Sequence, residues 1–237
     1  MRASIDHASL MDRVYRLQRH FGFYDATRKY YLVGRDAMIE GLRPPAGGTV
    51  LEIGCGTGRN LAKTARRYPT VRLFGLDISR EMLTAAKVAV DRAGISERTQ
   101  LALADAARFD ADKLFGRATF DRIYVSYAVS MIPQWEAAVE QAMRLLAPGG
   151  ELHIVDFGDL AGHPRWRKAA LYKWLGWYHV TPRANLFDTC DRLAESCGHA
   201  ASRRQLYGGF AWIATIARPD RALRPLDDEA RGEPIAA

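Results

Sequence analysis

Residues 50–61 of the 237-residue chain read Val-Leu-Glu-Ile-Gly-Cys-Gly-Thr-Gly-Arg-Asn-Leu, and no other stretch limits the fold so tightly. Val50, Leu51 and Ile53 make a short apolar run of the kind found in a buried parallel strand. Gly54, Gly56 and Gly58 follow at alternate positions, and a helical stretch begins after them. Glycines at such a turn allow positive φ and let the backbone approach a ligand that a Cβ would meet. The dinucleotide fingerprint Gly-x-Gly-x-x-Gly requires a glycine at position 59, where this chain has Arg59.

Further elements follow at regular intervals. Residues 71–76 read as a second strand ending at Asp77, 21 residues after Gly56. An acidic residue at that distance can accept hydrogen bonds from both hydroxyls of a ribose. Ser79 opens a helix over 80–93, with Met82, Leu83, Ala86 and Val90 on one stripe and Gly94 as its stop. A third strand is expected over 99–104, followed by Asp105-Ala106, and a fourth over 120–125, opening with Asp121 and closing at Ser126-Tyr127. Leu145-Leu146-Ala147-Pro148-Gly149-Gly150 turns into a fifth strand over 151–155, and 203–207 with 210–217 supply a last pair. Singly, Asp77 and Asp105 also suit plain helix caps, and Pro-Gly-Gly a plain turn; their order along one stretch of chain argues against coincidence.

The Glu52-containing Gly-x-Gly-x-Gly loop, the acidic residues at 77 and 105 and the Leu-Leu-Ala-Pro-Gly-Gly turn resemble the class I S-adenosylmethionine (SAM) methyltransferases. That resemblance implies a Rossmann-like α/β fold with a doubly wound parallel sheet of seven strands. It implies SAM as cofactor, S-adenosylhomocysteine as product and no metal. It also implies cofactor contacts from Glu52, Gly54, Cys55, Gly56, Asp77, Ile78, Asp105, Ala106 and Ser126, with Asp105-Ala106 against the adenine.

Composition agrees. Hydrophobic residues at 48% exclude a disordered chain, and no uninterrupted apolar stretch reaches the ~20 residues that span a bilayer. Asp6, Asp12 and several arginines near the start, without an apolar core, argue against a secretory signal. Cys55, Cys190 and Cys197 form no metal-type cluster, and their odd number argues against a disulfide scaffold. Cys55 reads as a small residue within the loop. A cytoplasmic location follows as the expectation. Residues 1–45 read as a helical lid or membrane-contact segment, with Leu10, Val14 and Leu17 at helical spacing. Residues 46–218 form the catalytic domain, and 219–237, with Pro219, Pro225, Pro234 and dense charge, a mobile tail.

The net charge of +7 is unevenly spread. Between Gly162 and Arg183 there are five Lys or Arg and no Asp or Glu, interleaved with Trp166, Tyr172, Trp174, Trp177 and Tyr178. Such a mixture suits a helix in an anionic membrane interface. It equally suits a helix docked on the domain with its aromatics in the core, and, third, a nucleic-acid surface. No Asn-Pro-Pro-Tyr-type motif of base-amino methyltransferases follows the fourth strand, where the chain reads Ser126-Tyr127-Ala128-Val129-Ser130-Met131, so no nucleic acid is expected.

Three further blocks lie outside the general pattern: Tyr24-Asp-x-Thr-Arg-Lys-Tyr-Tyr-Leu-x-Gly-Arg-Asp36, Val155-Asp156-Phe157-Gly158-Asp159 and Tyr178-His179-Val180-Thr181-Pro182-Arg183. Together they resemble bacterial diacylglyceryl-homoserine N-methyltransferases, close relatives of which methylate phosphatidylethanolamine. The resemblance spans residues 10–218 and implies three successive methylations of a lipid amine, giving the betaine lipid diacylglyceryl-N,N,N-trimethylhomoserine; the alternatives are phosphatidylethanolamine, giving phosphatidylcholine, and a soluble small molecule. The expected partners are a lipid substrate at the anionic inner membrane surface, with peripheral association, and functional coupling to the enzyme that makes diacylglyceryl-homoserine. Tyr24, Tyr31 and Tyr127 are the candidate catalytic aromatics. Tyr30, Arg28, Arg35 and Arg183 are candidate substrate contacts, the arginines for an anionic group. His153, mid-strand, reads as a core histidine. Removing residues 1–30 is expected to abolish activity and release the protein from anionic liposomes.

Overall fold

The computed structural model describes residues 32–177 and 180–220. Elements are numbered from the first described residue. Helix α1 (Arg35–Gly41) precedes strand β1 (Thr49–Ile53), helix α2 (Arg59–Arg67), β2 (Arg72–Asp77), α3 (Arg80–Arg92), β3 (Thr99–Leu103) and α4 (Ala111–Phe115). Then come β4 (Phe120–Ser126), α5 (Trp135–Arg144), β5 (Leu146–Phe157), α6 (Arg165–Gly176), α7 (Leu186–Ser196), β6 (Ala200–Leu206) and β7 (Ala211–Ala217).

The seven strands form one sheet in the order β3-β2-β1-β4-β5-β7-β6. Strands β1 to β6 run in one direction and β7 is antiparallel to both of its neighbours, which makes the expected seven-stranded doubly wound sheet a mixed one. The reason is the short β6–β7 turn, since only antiparallel strands can be joined without a crossover. Alternation along each strand splits the core between two faces. Leu51, Ile53, Ile123, Val125, Leu152 and Ile154 meet α4, α5 and α7. Val50, Leu73, Tyr124, Val155 and Ile213 meet α1, α2, α3 and α6.

Local signals act largely as read. Ser79 accepts a hydrogen bond from Met82 N to cap α3, and Gly94 at φ 66° ends it. Strand β5 differs from the expected 151–155, because Phe120 pairs Leu146 while Arg122 already pairs Glu151, so the chain between them loops out at Gly149 (φ 71°). Asp121 serves the sheet rather than the site: its Oδ2 accepts from Thr49 N at 2.8 Å and Thr49 Oγ1 at 2.7 Å, clamping β1 to β4. His153 is a satisfied core residue, 2.9 Å from the Glu151 carboxylate.

The described part of the N-terminal segment is built into the body. Met38 and Leu42 are fully buried in the second core face. Arg218 N donates to Gly150 O at the far end of the chain, and residues 221–237 lie outside the described residues.

Candidate active site

The cavity opens at the carboxyl ends of β1, β2 and β4, where strand order reverses between β1 and β4, the usual place for a ligand in an open α/β sheet. The glycine loop forms its floor. Gly54 N and Cys55 N both donate to Leu76 O at 2.9 Å, and Gly56 N donates to Asp77 Oδ2 at 2.9 Å, so the tip of β2 holds the loop from below. Gly54, Gly56 and Gly58 all have positive φ, 72°, 52° and 75°. A Cβ on Gly54 would stand 2.7 Å from that of Ala128, whereas a Cβ on Gly56 would project into open space. Steric crowding explains the first glycine; room for a ligand beside the backbone is what the second provides. The Cys55 side chain is buried and faces Gly75, whose missing Cβ makes room for Cys55, Leu61 and Leu101.

Glu52 sits beneath the loop, 1% exposed. Asn60 Nδ2 donates to its Oε1 at 2.9 Å and Tyr124 Oη to its Oε2 at 3.0 Å. Burial pushes this carboxyl from its ordinary 4.5 up to about 8; the two hydrogen bonds and Arg35 oppose the rise, and the Asp77 charge adds to it. Asp77 Oδ1 accepts from Ser79 N at 2.9 Å, so both of its oxygens brace backbone while the residue lines the cavity beside Ile78. Asp105 Oδ1 accepts from Ala107 N at 3.0 Å, and Ala104, Asp105 and Ala106 form the wall on the β3 side.

Three buried polar atoms around the cavity have no hydrogen-bond partner among the described residues: Arg59 Nη1, Asn60 Oδ1 and Ser126 Oγ. Buried polar groups are nearly always satisfied, so this cradle is polar where a ligand would complete it. The acidic residues, the open glycine backbone and the orphaned atoms fit SAM, a cationic molecule with a diol and an amine. All nine residues expected to contact the cofactor line this one cavity.

The expected substrate residues fare differently. Tyr24, Arg28, Tyr30 and Tyr31 lie outside the described residues. Tyr127 lines the cavity at φ 53°, a left-handed conformation that is uncommon for a non-glycine residue. Its hydroxyl donates to Val33 O at 2.6 Å and its ring meets Phe157 edge-on at 4.7 Å. Burial raises its pKa well above the usual tyrosine value, so the hydroxyl keeps its proton. Arg35 also lines the cavity, with Nε donating to Leu32 O at 2.9 Å. Arg183 does not. Its Nε donates to Val129 O at 3.2 Å and its Nη2 to Ile132 O at 2.8 Å, and the guanidinium lies over the Trp135 ring. It fastens the loop after β4, which corrects its expected place at the substrate.

Sequence reasoning missed Arg59 and Asn60 at the start of α2, Tyr124 in β4 and Met131–Gln134 on the outer wall. Asn60 carried a usable signal: a polar residue in the first helical turn after the glycines faces back toward the strand that precedes them.

Comparisons with known proteins bear on this arrangement. The family described as Methyltransferase domain matches residues 50–150. A phosphatidylethanolamine N-methyltransferase of Cereibacter sphaeroides is 35% identical over 137 residues, covering 56% of this chain and 64% of that protein. A ubiquinone/menaquinone biosynthesis C-methyltransferase of the same species is 28% identical over 126 residues, covering 53% and 49%. The chain thus spans less than two thirds of the length of either curated relative. Among solved structures, phosphoethanolamine N-methyltransferase 2 of Haemonchus contortus, in complex with SAM, superposes with a TM-score of 0.64 at 16% identity, covering 78% of this chain and 52% of that one. Nitrogen and carbon methylation both occur among these relatives. Residues 50–150 thus match the methyltransferase-domain family, and they sit in a fold shared with solved SAM methyltransferases.

Proposed function

We propose that the protein is a SAM-dependent N-methyltransferase of a lipid amine, and that the amine is diacylglyceryl-homoserine, taken to diacylglyceryl-N,N,N-trimethylhomoserine in three methylations. The observation that carries the lipid-amine reading is the 35% identity to a phosphatidylethanolamine N-methyltransferase. The homoserine headgroup is supported by the blocks at 24–36, 155–159 and 178–183.

Bound SAM supplies a methyl carbon whose bond to sulfur breaks as the amine lone pair forms the new carbon–nitrogen bond. The chain's own residues then have three tasks. Asp77 and Asp105 would hold the diol and adenine ends, and Glu52 with Asn60 would lie toward the amino acid end. The apolar outer wall, with Leu32, Met131 and Ile132, lowers the local dielectric. That favours the neutral amine over the ammonium, and only the neutral form has a lone pair to give. Tyr127 offers a neutral aromatic ring to attract the ammonium that each transfer leaves, which releases a proton to solvent after the first and second transfers and is permanent after the third. Arg35, at the cavity edge, is the described candidate for the carboxylate or phosphate of the headgroup.

A second reading, phosphatidylethanolamine as substrate, is favoured by the name of that same relative. Lipid extraction from a betaine-lipid-free bacterium separates the two. Trimethylated homoserine lipid formed only when the chain is expressed with the enzyme that makes diacylglyceryl-homoserine supports the first. Phosphatidylcholine formed with this chain alone supports the second. If neither lipid forms while the purified protein still binds SAM, the lipid assignment fails.

A further inference from the structure

Helix α6 has two apolar faces, and the fold uses one of them. Leu175 is 1% exposed, and Leu171, Tyr172 and Trp174 pack partly against the core face that contains Tyr127 and Phe157. This is what a docked helix explains. It leaves out Trp166 at 68% exposed and Trp177 at 71%. The two stand 11 positions apart, three helical turns and about 20°, so they share the outward face at a separation of roughly 16 Å along the axis. Ala169, Ala170 and Lys173 are exposed between them.

Both ends of α6 are tied to the rim of the sheet where the cavity opens. At the first end, Leu160 N donates to Gly209 O and Gly162 N to Gly208 O, both at 2.9 Å. His163 Nε2 lies 2.8 Å from Tyr207 O. This joins the helix to the β6–β7 turn, whose Tyr207 is 66% exposed at φ 52°. At the other end, Thr181 N donates to Ser130 O at 2.9 Å, in the loop that leads to the cavity wall at Met131–Gln134. The exposed rings therefore stand on the side of the molecule where β4 and β5 end.

The charge on the helix itself has one sign. Arg165, Arg167, Lys168 and Lys173 lie on the helix, which has no carboxylate. The Arg167 guanidinium lies 5.5 Å from the Trp166 ring centre. The nearby Asp159 has its Oδ1 engaged by Ala161 N. Indole and phenol rings favour the headgroup boundary, while cations beside them favour anionic lipid. We propose that the outward face of α6, with Trp166 and Trp177 at its ends and Tyr207 beside it, docks on an anionic bilayer with the cavity mouth turned toward the headgroups. The orientation rests on the lipid-amine reading; the docking does not.

The test is co-sedimentation of the full chain with vesicles of phosphatidylglycerol and phosphatidylcholine, and with phosphatidylcholine alone. Three proteins are compared: the natural one, Trp166→Ala/Trp177→Ala/Tyr207→Ala, and Arg165→Gln/Arg167→Gln/Lys168→Gln/Lys173→Gln. SAM calorimetry and thermal unfolding check that each is folded. Turnover is read on the lipid amine in detergent micelles as well as in vesicles. Binding to the anionic vesicles that falls at least about tenfold in each variant, with micellar turnover retained, supports the proposal. Variants that bind as the natural protein does overturn it and leave the lipid reading standing. A natural protein that methylates micellar lipid without binding vesicles does the same. Vesicle binding by this face without methylation of any lipid supports docking and removes the substrate reading. A concentration-dependent dimer abolished by the aromatic variant puts a second copy on this face and overturns the bilayer.

Discussion

Asp77 has two tasks, and its geometry allows both. Gly56 N and Ser79 N donate to its two carboxylate oxygens, and the residue lines the cavity at the tip of β2, where the two ribose hydroxyls are its expected partners. Asp77→Ala is expected to lower SAM affinity on the order of a hundredfold, and Asp77→Asn by less, by calorimetry; unchanged affinity removes the ribose assignment. Glu52 makes a prediction of opposite character. With its pKa at about 8 folded and 4.5 ordinarily, the folded state keeps a proton that the unfolded state has released between those values. Stability of the SAM-free protein from this group therefore falls as pH rises through that window, at up to about 1.4 kcal/mol per pH unit. Glu52→Gln mimics the protonated acid, so it should unfold near the natural temperature at about pH 5 and at a higher one at about pH 9. A difference in melting temperature that does not change with pH would show that Glu52 titrates normally. Asp77 and Asp105 were legible because strand ends and spacing mark them. Arg59 was not, because what brings it to the cavity is the register of α2 against β1.

Elements were legible where chemistry punctuates the chain. Ser79 and Gly94 bound α3 almost to the residue, and the glycine loop announced the β1–α2 turn. Strand β6, with nearly every residue exposed, has no alternating apolar pattern, so its start at Ala200 was read three residues late. Likewise β5 hid its first residues behind Pro148-Gly149-Gly150, which signals a turn even though Leu146 is already paired. The loop itself can be tested as an element. Gly54→Ala places a Cβ 2.7 Å from Ala128 Cβ at a φ of 72°. It should destabilise by about 1–2 kcal/mol from the backbone alone, with the clash adding more. Adding Ala128→Gly removes the clash but not the backbone cost, so the double variant should recover part of the lost melting temperature. Full recovery would show that packing alone, and not left-handed backbone, requires glycine at 54.

At the scale of the molecule, the described residues hold the cavity lined by all nine expected cofactor residues and an apolar outer wall, while the aromatic and basic block at 24–31 lies beyond them. The division suggests separable tasks. Helix α1 starts at Arg35, and its Met38 and Ile39 are core residues, so a chain cut after residue 30 keeps the whole of this helix. The truncated protein should therefore melt within a few degrees of the full chain and bind SAM with affinity within about tenfold, since Leu32 and Arg35 keep their places at the cavity. Turnover of the lipid amine should be lost, because Tyr24, Arg28, Tyr30 and Tyr31 are the remaining candidates for surrounding the headgroup. The exposed face of α6 changes one part of the first expectation: anionic vesicles should still bind the truncated protein, more weakly than the full chain, and release should require the loss of Trp166 and Trp177 as well. Retained turnover after truncation would move the substrate contacts onto the described body and discard the lid. Complete release from vesicles on truncation alone would assign the membrane contact to residues 1–30 and leave the two exposed tryptophans without that role.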